Sequence, residues 1–136
     1  VRRLLVLLLV ALCCGCTPAA IHAQAAAANA IAVAGNSALP LLAASYEREG
    51  LAAIARSTTQ EQARAELVDV KARWAPTWAA WEALRAAHAA WATALEAGDD
   101  ASLPTALGAV RDAWCEMEAA WPDGIALPAV PVRCGP

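Results

Sequence analysis

Phenylalanine is missing from this 136-residue chain, and tyrosine, methionine and lysine occur once each, as Tyr46, Met117 and Lys71. The bulky apolar side chains are therefore leucine, valine and six tryptophans, set in an alanine-rich background. Charge is scarce as well: 17% of residues are charged, against 60% hydrophobic. That balance excludes a disordered polyelectrolyte and a collagen-like chain. A single lysine and a net charge of −3 leave no basic stripe, which argues against a nucleic-acid partner. Few β-branched residues argue against a strand-rich fold. The length suits one domain, and the composition that remains is that of an alanine-rich helical domain.

The N-terminus reads as an export address. Val1-Arg2-Arg3 is a short basic start, and Leu4–Leu12 is an unbroken apolar run of nine residues. Cys13, Cys14, Gly15 and Cys16 follow, and then Thr17-Pro18. A basic start, a short apolar stretch and small residues beyond it form a secretory signal. The run falls short of the about 20 residues that a helical membrane span needs. The stretch resembles the signal of bacterial lipoproteins, whose lipobox ends in a small residue and the cysteine that takes the lipid. Gly15-Cys16 occupies those two places, Cys13 stands where that family usually has leucine, and Cys14 where it usually has a small residue. The resemblance implies lipidation at Cys16 and a membrane anchor. The residues also admit ordinary cleavage near Ile21-His22-Ala23, or an uncleaved anchor. Each alternative puts the body outside the cytoplasm, in the periplasm or beyond.

Cysteine usage agrees with export. Three of the five cysteines lie in the signal, leaving Cys115 and Cys134 in the body. An even pair in an oxidising compartment predicts a disulfide between them. No histidine stands near them, so a metal site is not expected. Without residues 1–15 the body keeps eight basic and thirteen acidic residues, a net charge of −5.

The body is expected to be all-α: a long antiparallel helical hairpin, a shorter third helix and a Pro-rich extended tail. Thr17-Pro18 opens the first helix, expected over about 18–56. Thr58-Thr59-Gln60-Glu61 reads as a T-x-x-E capping box for a second helix over 59–97, which Gly98 stops. Asp99, Asp100 and Ser102 form the next turn and cap a third helix over 102–121. The tail, 122–136, carries Pro128, Pro131 and Pro136.

In the second helix Leu67, Val70, Trp74, Thr77, Trp81, Leu84, His88, Trp91 and Leu95 recur at alternating steps of three and four. In the third, Leu103, Leu107, Val110, Trp114, Met117 and Trp121 do the same. That spacing is the seam of helices packed at a shallow angle. If the hairpin turns at Ser57-Thr58, residue i of the first helix faces roughly 115 − i on the second. Trp81 then faces Ala34-Gly35, Trp78 faces Ser37, Trp91 faces Gln24-Ala25, and His88 faces Ala27-Ala28. Pro40 and Pro76 fall at one height and should kink both helices together. The third helix packs on the N-terminal half of the first, leaving the Ser57 end a bare two-helix tip. A second membrane segment over Ala19–Ala38 is the alternative, made costly by His22, Gln24, Asn29 and Asn36.

Catalytic constellations are absent from the sequence: it contains no P-loop, G-x-G-x-x-G, G-x-S-x-G or H-E-x-x-H. No enzyme activity, cofactor or metal is expected. His88 is the polar exception in the seam; with Trp78 and Trp81 it forms a possible ligand or pH-sensing group. The expected role is structural or partner-binding, in an envelope-anchored lipoprotein whose partner is the membrane, another envelope protein or a second copy. A ligand-binding module with a Trp-lined cleft is the first alternative. The second resembles the outer-membrane partners of phage spanin pairs, which bridge envelope layers during lysis.

Overall fold

The computed structural model describes residues 18–135; the signal and Cys16 lie outside the described residues. Three helices follow one another: α1 (Pro18–Arg56), α2 (Gln60–Glu96) and α3 (Leu103–Ala119). The fold is all-α, a long antiparallel pair with a shorter third helix, and 120–135 is a tail without regular structure. Both long helices run unbroken through Pro40 and Pro76, which lie on exposed faces. Each proline removes one backbone bond, and the packed apolar face holds the helix across the gap.

The helix ends explain the turns, with two corrections of detail. The N-cap of α2 is Thr59, one residue later than the Thr58 box: its hydroxyl accepts from the Gln62 N–H at 3.1 Å. Gln62 reaches back and accepts from the N–H of Thr58, also at 3.1 Å. The box is thus Thr59-x-x-Gln62, with glutamine in the place expected for Glu61. At the other end Gly98 takes φ +65°, and the Asp99 N–H bonds the Ala94 carbonyl at 3.0 Å, a Schellman closure. The Ser102 hydroxyl makes no cap; the Asp99 carboxylate accepts the Ser102 N–H instead, at 3.2 Å.

The core divides along the hairpin. Ala28, Ile31 and Ala34 of α1 meet Trp81, Leu84 and Trp91 of α2 and Leu103, Val110, Trp114 and Met117 of α3. Beyond the end of α3 a second cluster joins Leu42, Ala53, Val70 and Trp74, flanked by Tyr46, Trp78, Trp121 and Ile125. The third helix thus covers the N-terminal half of α1, and the tip is a two-helix hairpin. Small residues on α1 receive large ones from α2, which brings the axes close. Leu67 and Leu95 are the exceptions in the seam, both more than a third exposed, because they lie near the ends of α2.

The tail is extended but not loose. Leu127, Val130 and Val132 pack on the three-helix core, and Ile125 packs with Trp121 on the tip cluster. The Trp121 indole N–H donates to the Ile125 carbonyl at 2.9 Å, and the Thr77 hydroxyl donates to the Ala120 carbonyl at 2.8 Å. Cys115 and Cys134 are joined, with Cα atoms 5.3 Å apart.

One polar clasp joins α1 to α2 within the tip. Glu49 accepts from the Trp74 indole N–H at 2.6 Å and from Arg73 Nε at 3.1 Å. The Trp74 N–H first, and Arg73 second, hold its carboxyl below the ordinary 4.5. A depressed carboxyl stabilises the fold above its unfolded pKa, and that contribution fades as pH falls through the folded value. Thermal unfolding of Glu49→Gln is therefore expected to lose less on acidification below about pH 4.5 than that of the wild type. Equal acid slopes in the two proteins would remove this role for Glu49.

Candidate functional site

The most featured depression lies between α1 and α2, about midway along the hairpin, with a volume of about 450 Å³. Its walls come from these two helices alone. Gly35 shapes its floor. A β-carbon there would sit 2.9 Å from Trp81 Cζ3 and 3.3 Å from Cη2, closer than atoms pack. The bare backbone lets the indole sink against α1, and Trp81 ends 5% exposed. Gly35 serves here by its missing side chain; its conformation is ordinary helix.

Polar groups gather around that floor. Arg85 donates through Nη1 to Glu82 Oε1 at 3.2 Å and Oε2 at 3.4 Å, one turn apart on α2. Asn36 brings an exposed amide on the α1 wall. His88 is half-buried, its ring 5.6 Å from that of Trp91. Its Nε2 is the single buried side-chain nitrogen or oxygen without a hydrogen-bond partner among the described residues. An orphaned buried polar atom costs about 1–3 kcal/mol. His88→Leu is accordingly expected to raise stability by about 1 kcal/mol or more in urea unfolding. A loss of stability would mean that Nε2 has a partner, such as a bound water.

Of the residues singled out from sequence, the fold brings Trp81 and His88 to this groove and takes Trp78 elsewhere. Trp78 was expected opposite Ser37. It stands edge-on to Tyr46, with ring centroids 6.0 Å apart, and 6.4 Å from Trp74. Ser37 is exposed and bonds its own helix at the Val33 carbonyl. Tyr46 lies nine residues beyond Ser37 on α1, so the contact is displaced along the axis: long side chains lean toward the N-terminus of their own helix, and on antiparallel helices the two leans point in opposite directions. Gly35, Asn36 and Arg85 were not picked out as site residues. The signal for Arg85 was available: Glu82, Arg85 and His88 are each three residues apart, which places them along one side of α2.

Two further depressions mark the surface of the described residues, the tail-bordered one equal in volume to the groove at about 450 Å³. The clasp residues Glu49, Arg73, Trp74 and Thr77 border a depression of about 230 Å³ beside Ala120 and Pro122. Pro128 and Ala129 of the tail border another with Ala26, Asn29, Ala30 and Val33. Among the described residues no group of three or more His, Cys, Asp or Glu side chains could hold a metal ion. The helix span His22–Arg56 is long and apolar enough to cross a membrane, a property that buried core helices and signal segments share. Ala28, Ile31, Ala34 and Ala38 on its inner face are buried in the bundle. The chain matches no protein-family model, no curated protein and no solved structure.

Proposed function

We propose that this chain is an exported, envelope-anchored helical protein that works without catalysis, as a support that holds or touches a partner. The observation that carries this reading is the tip. Beyond Thr77, α2 continues back to Gln60, about 25 Å at 1.5 Å per residue, with no third helix beside it. Leu51, Ile54, Leu67 and Val68 stand exposed there, with Leu51 and Val68 at 60% and 66%. Exposed apolar side chains on a projecting element offer contact area to another protein. The joined Cys115–Cys134 pair fits an oxidising compartment, in line with the signal-like N-terminus. One acyl chain anchors only marginally, so attachment at Cys16 calls for several chains on that cysteine.

Two measurements test the reading. Labelled fatty acid is expected to enter the wild type and not Cys16→Ala; equal labelling would exclude Cys16 as the anchor. A photo-crosslinking side chain placed at Leu51 or Val68 is expected to give an adduct in the intact envelope that the same side chain at Asp112, on α3, does not give. Identical adducts from both places would refute a specific tip contact.

A further inference from the structure

We propose that the groove between α1 and α2 at Gly35 binds a small carboxylic acid with an apolar body. This goes beyond the anchored-support reading and does not depend on it. Three observations converge on one place. Its apolar floor is built, not incidental: Gly35 is the position where an added side chain would collide with Trp81, and Ile31 and Leu84 extend that floor. At about 450 Å³ the space lies within the range of small-molecule sites.

The polar groups have capacity to spare. Glu82 engages only Nη1 of Arg85, so Nε and Nη2 are left to receive a second carboxylate in the paired fashion that guanidinium favours. Glu82 acts as a positioning residue, holding the guanidinium at the groove. Glu82 also repels a second carboxylate, so the acid group of the ligand has to meet the free Nε and Nη2 of Arg85 on the side away from Glu82. His88 brings the second contact. Its Nε2 is shielded and unpartnered, so the imidazole gains a hydrogen bond if it turns about Cβ–Cγ and meets a ligand oxygen. The Asn36 amide faces the same space from the α1 wall and can accept or donate to the other end of the ligand. The groove has no α3 or tail residue in its lining, so no element of the described chain fills it.

The probes are phenylacetate and 4-phenylbutyrate, each titrated by calorimetry into the full chain held in lipid nanodiscs, with the matching amides as uncharged controls. Saturable binding of at least one acid is expected, weakened about tenfold or more in its amide and in Arg85→Gln. Arg111→Gln, which removes an exposed arginine of α3 outside the groove, should bind as the wild type does. Arg85 is exposed, so Arg85→Gln should keep the helical circular dichroism; that spectrum guards against mistaking misfolding for lost binding. Binding of acid and amide with equal strength would overturn the proposal, since it would mean partition into lipid or onto the apolar tip. An Arg85→Gln protein that binds like the wild type, or no binding of either acid at millimolar concentration, would overturn it as well.

Discussion

Replacing Trp81 by alanine is expected to cost about 3–5 kcal/mol, the range for large-to-small changes at buried aromatic sites. The indole is 5% exposed and belongs to the cluster in which all three helices meet. Its removal leaves a void that cannot close easily, because the facing residues on α1, Ala34 and Gly35, have almost nothing to move into it. Urea unfolding followed by circular dichroism checks the figure, and a loss below about 1.5 kcal/mol would mean that the site collapses or that the seam is not the core. The contact with Gly35 adds a sign test. Alanine is the better helix former by about 1 kcal/mol, but its methyl group would press on the ring, and overpacking costs about 1–3 kcal/mol. Gly35→Ala is thus expected to be neutral to destabilising in the wild type and stabilising by about 1 kcal/mol in the Trp81→Ala background. The reversal of sign is the signature of direct contact.

Cys134→Ser is expected to lower stability by about 3 kcal/mol, the chain-entropy value for a loop of this size. The two cysteines are 19 residues apart, so the bond closes a loop made of the last turn of α3 and most of the tail. Within that loop Leu127, Val130 and Val132 lie on the core. Opening it frees the unfolded chain and also lets these side chains leave the surface they cover. Reductant should therefore lower the stability of the wild type by a similar amount and leave Cys134→Ser unchanged. A loss below about 1 kcal/mol would show that apolar packing holds the tail by itself, and the bond then contributes little. The two predictions concern one domain at different depths. Trp81 tests the bundle, and the disulfide tests how the tail is fastened to it.

Much of this architecture could be read before any coordinates. The helix spans differ from expectation by a residue or two, because capping residues and Gly98 write the ends into the chain. The seams were legible for the same kind of reason: Val70, Trp74, Thr77, Trp81, Leu84 and Trp91 are buried, as their spacing implies. In α3, Leu103, Val110, Trp114 and Met117 follow the rule and Leu107 is half-buried, as is Trp121 just beyond the helix end. Even the height at which Trp81 meets Gly35 followed from counting outward from the turn. The capping box was misplaced by one residue, because two adjacent threonines each precede a suitable partner and only backbone geometry chooses between them.

The site was less legible. That Glu49 would take the Trp74 N–H, 25 residues away, has no trace in local pattern, since neither residue signals the other. The same holds for Thr77 and the Ala120 carbonyl, 43 residues apart. The groove at Gly35 needed two facts together: a missing side chain on one helix, and an indole on the other turned to use the space.

The sequence by itself determined the elements, their order, their ends and their buried faces, because these depend on periodicity and on interactions within a few residues. It also named the one pair of body cysteines available for a bond. Only the tertiary structure decided which side chains of those faces touch one another. That choice sent Trp78 to Tyr46 instead of Ser37 and left the His88 Nε2 without a partner. It also placed Asn36 and Arg85 on opposite walls of one groove. The physical reason is that long side chains reach along the helix axis as well as across it. Spacing along the chain fixes the backbone register approximately, while the partner each side chain reaches is set by side-chain volumes packing against each other, and those meet only in the folded molecule.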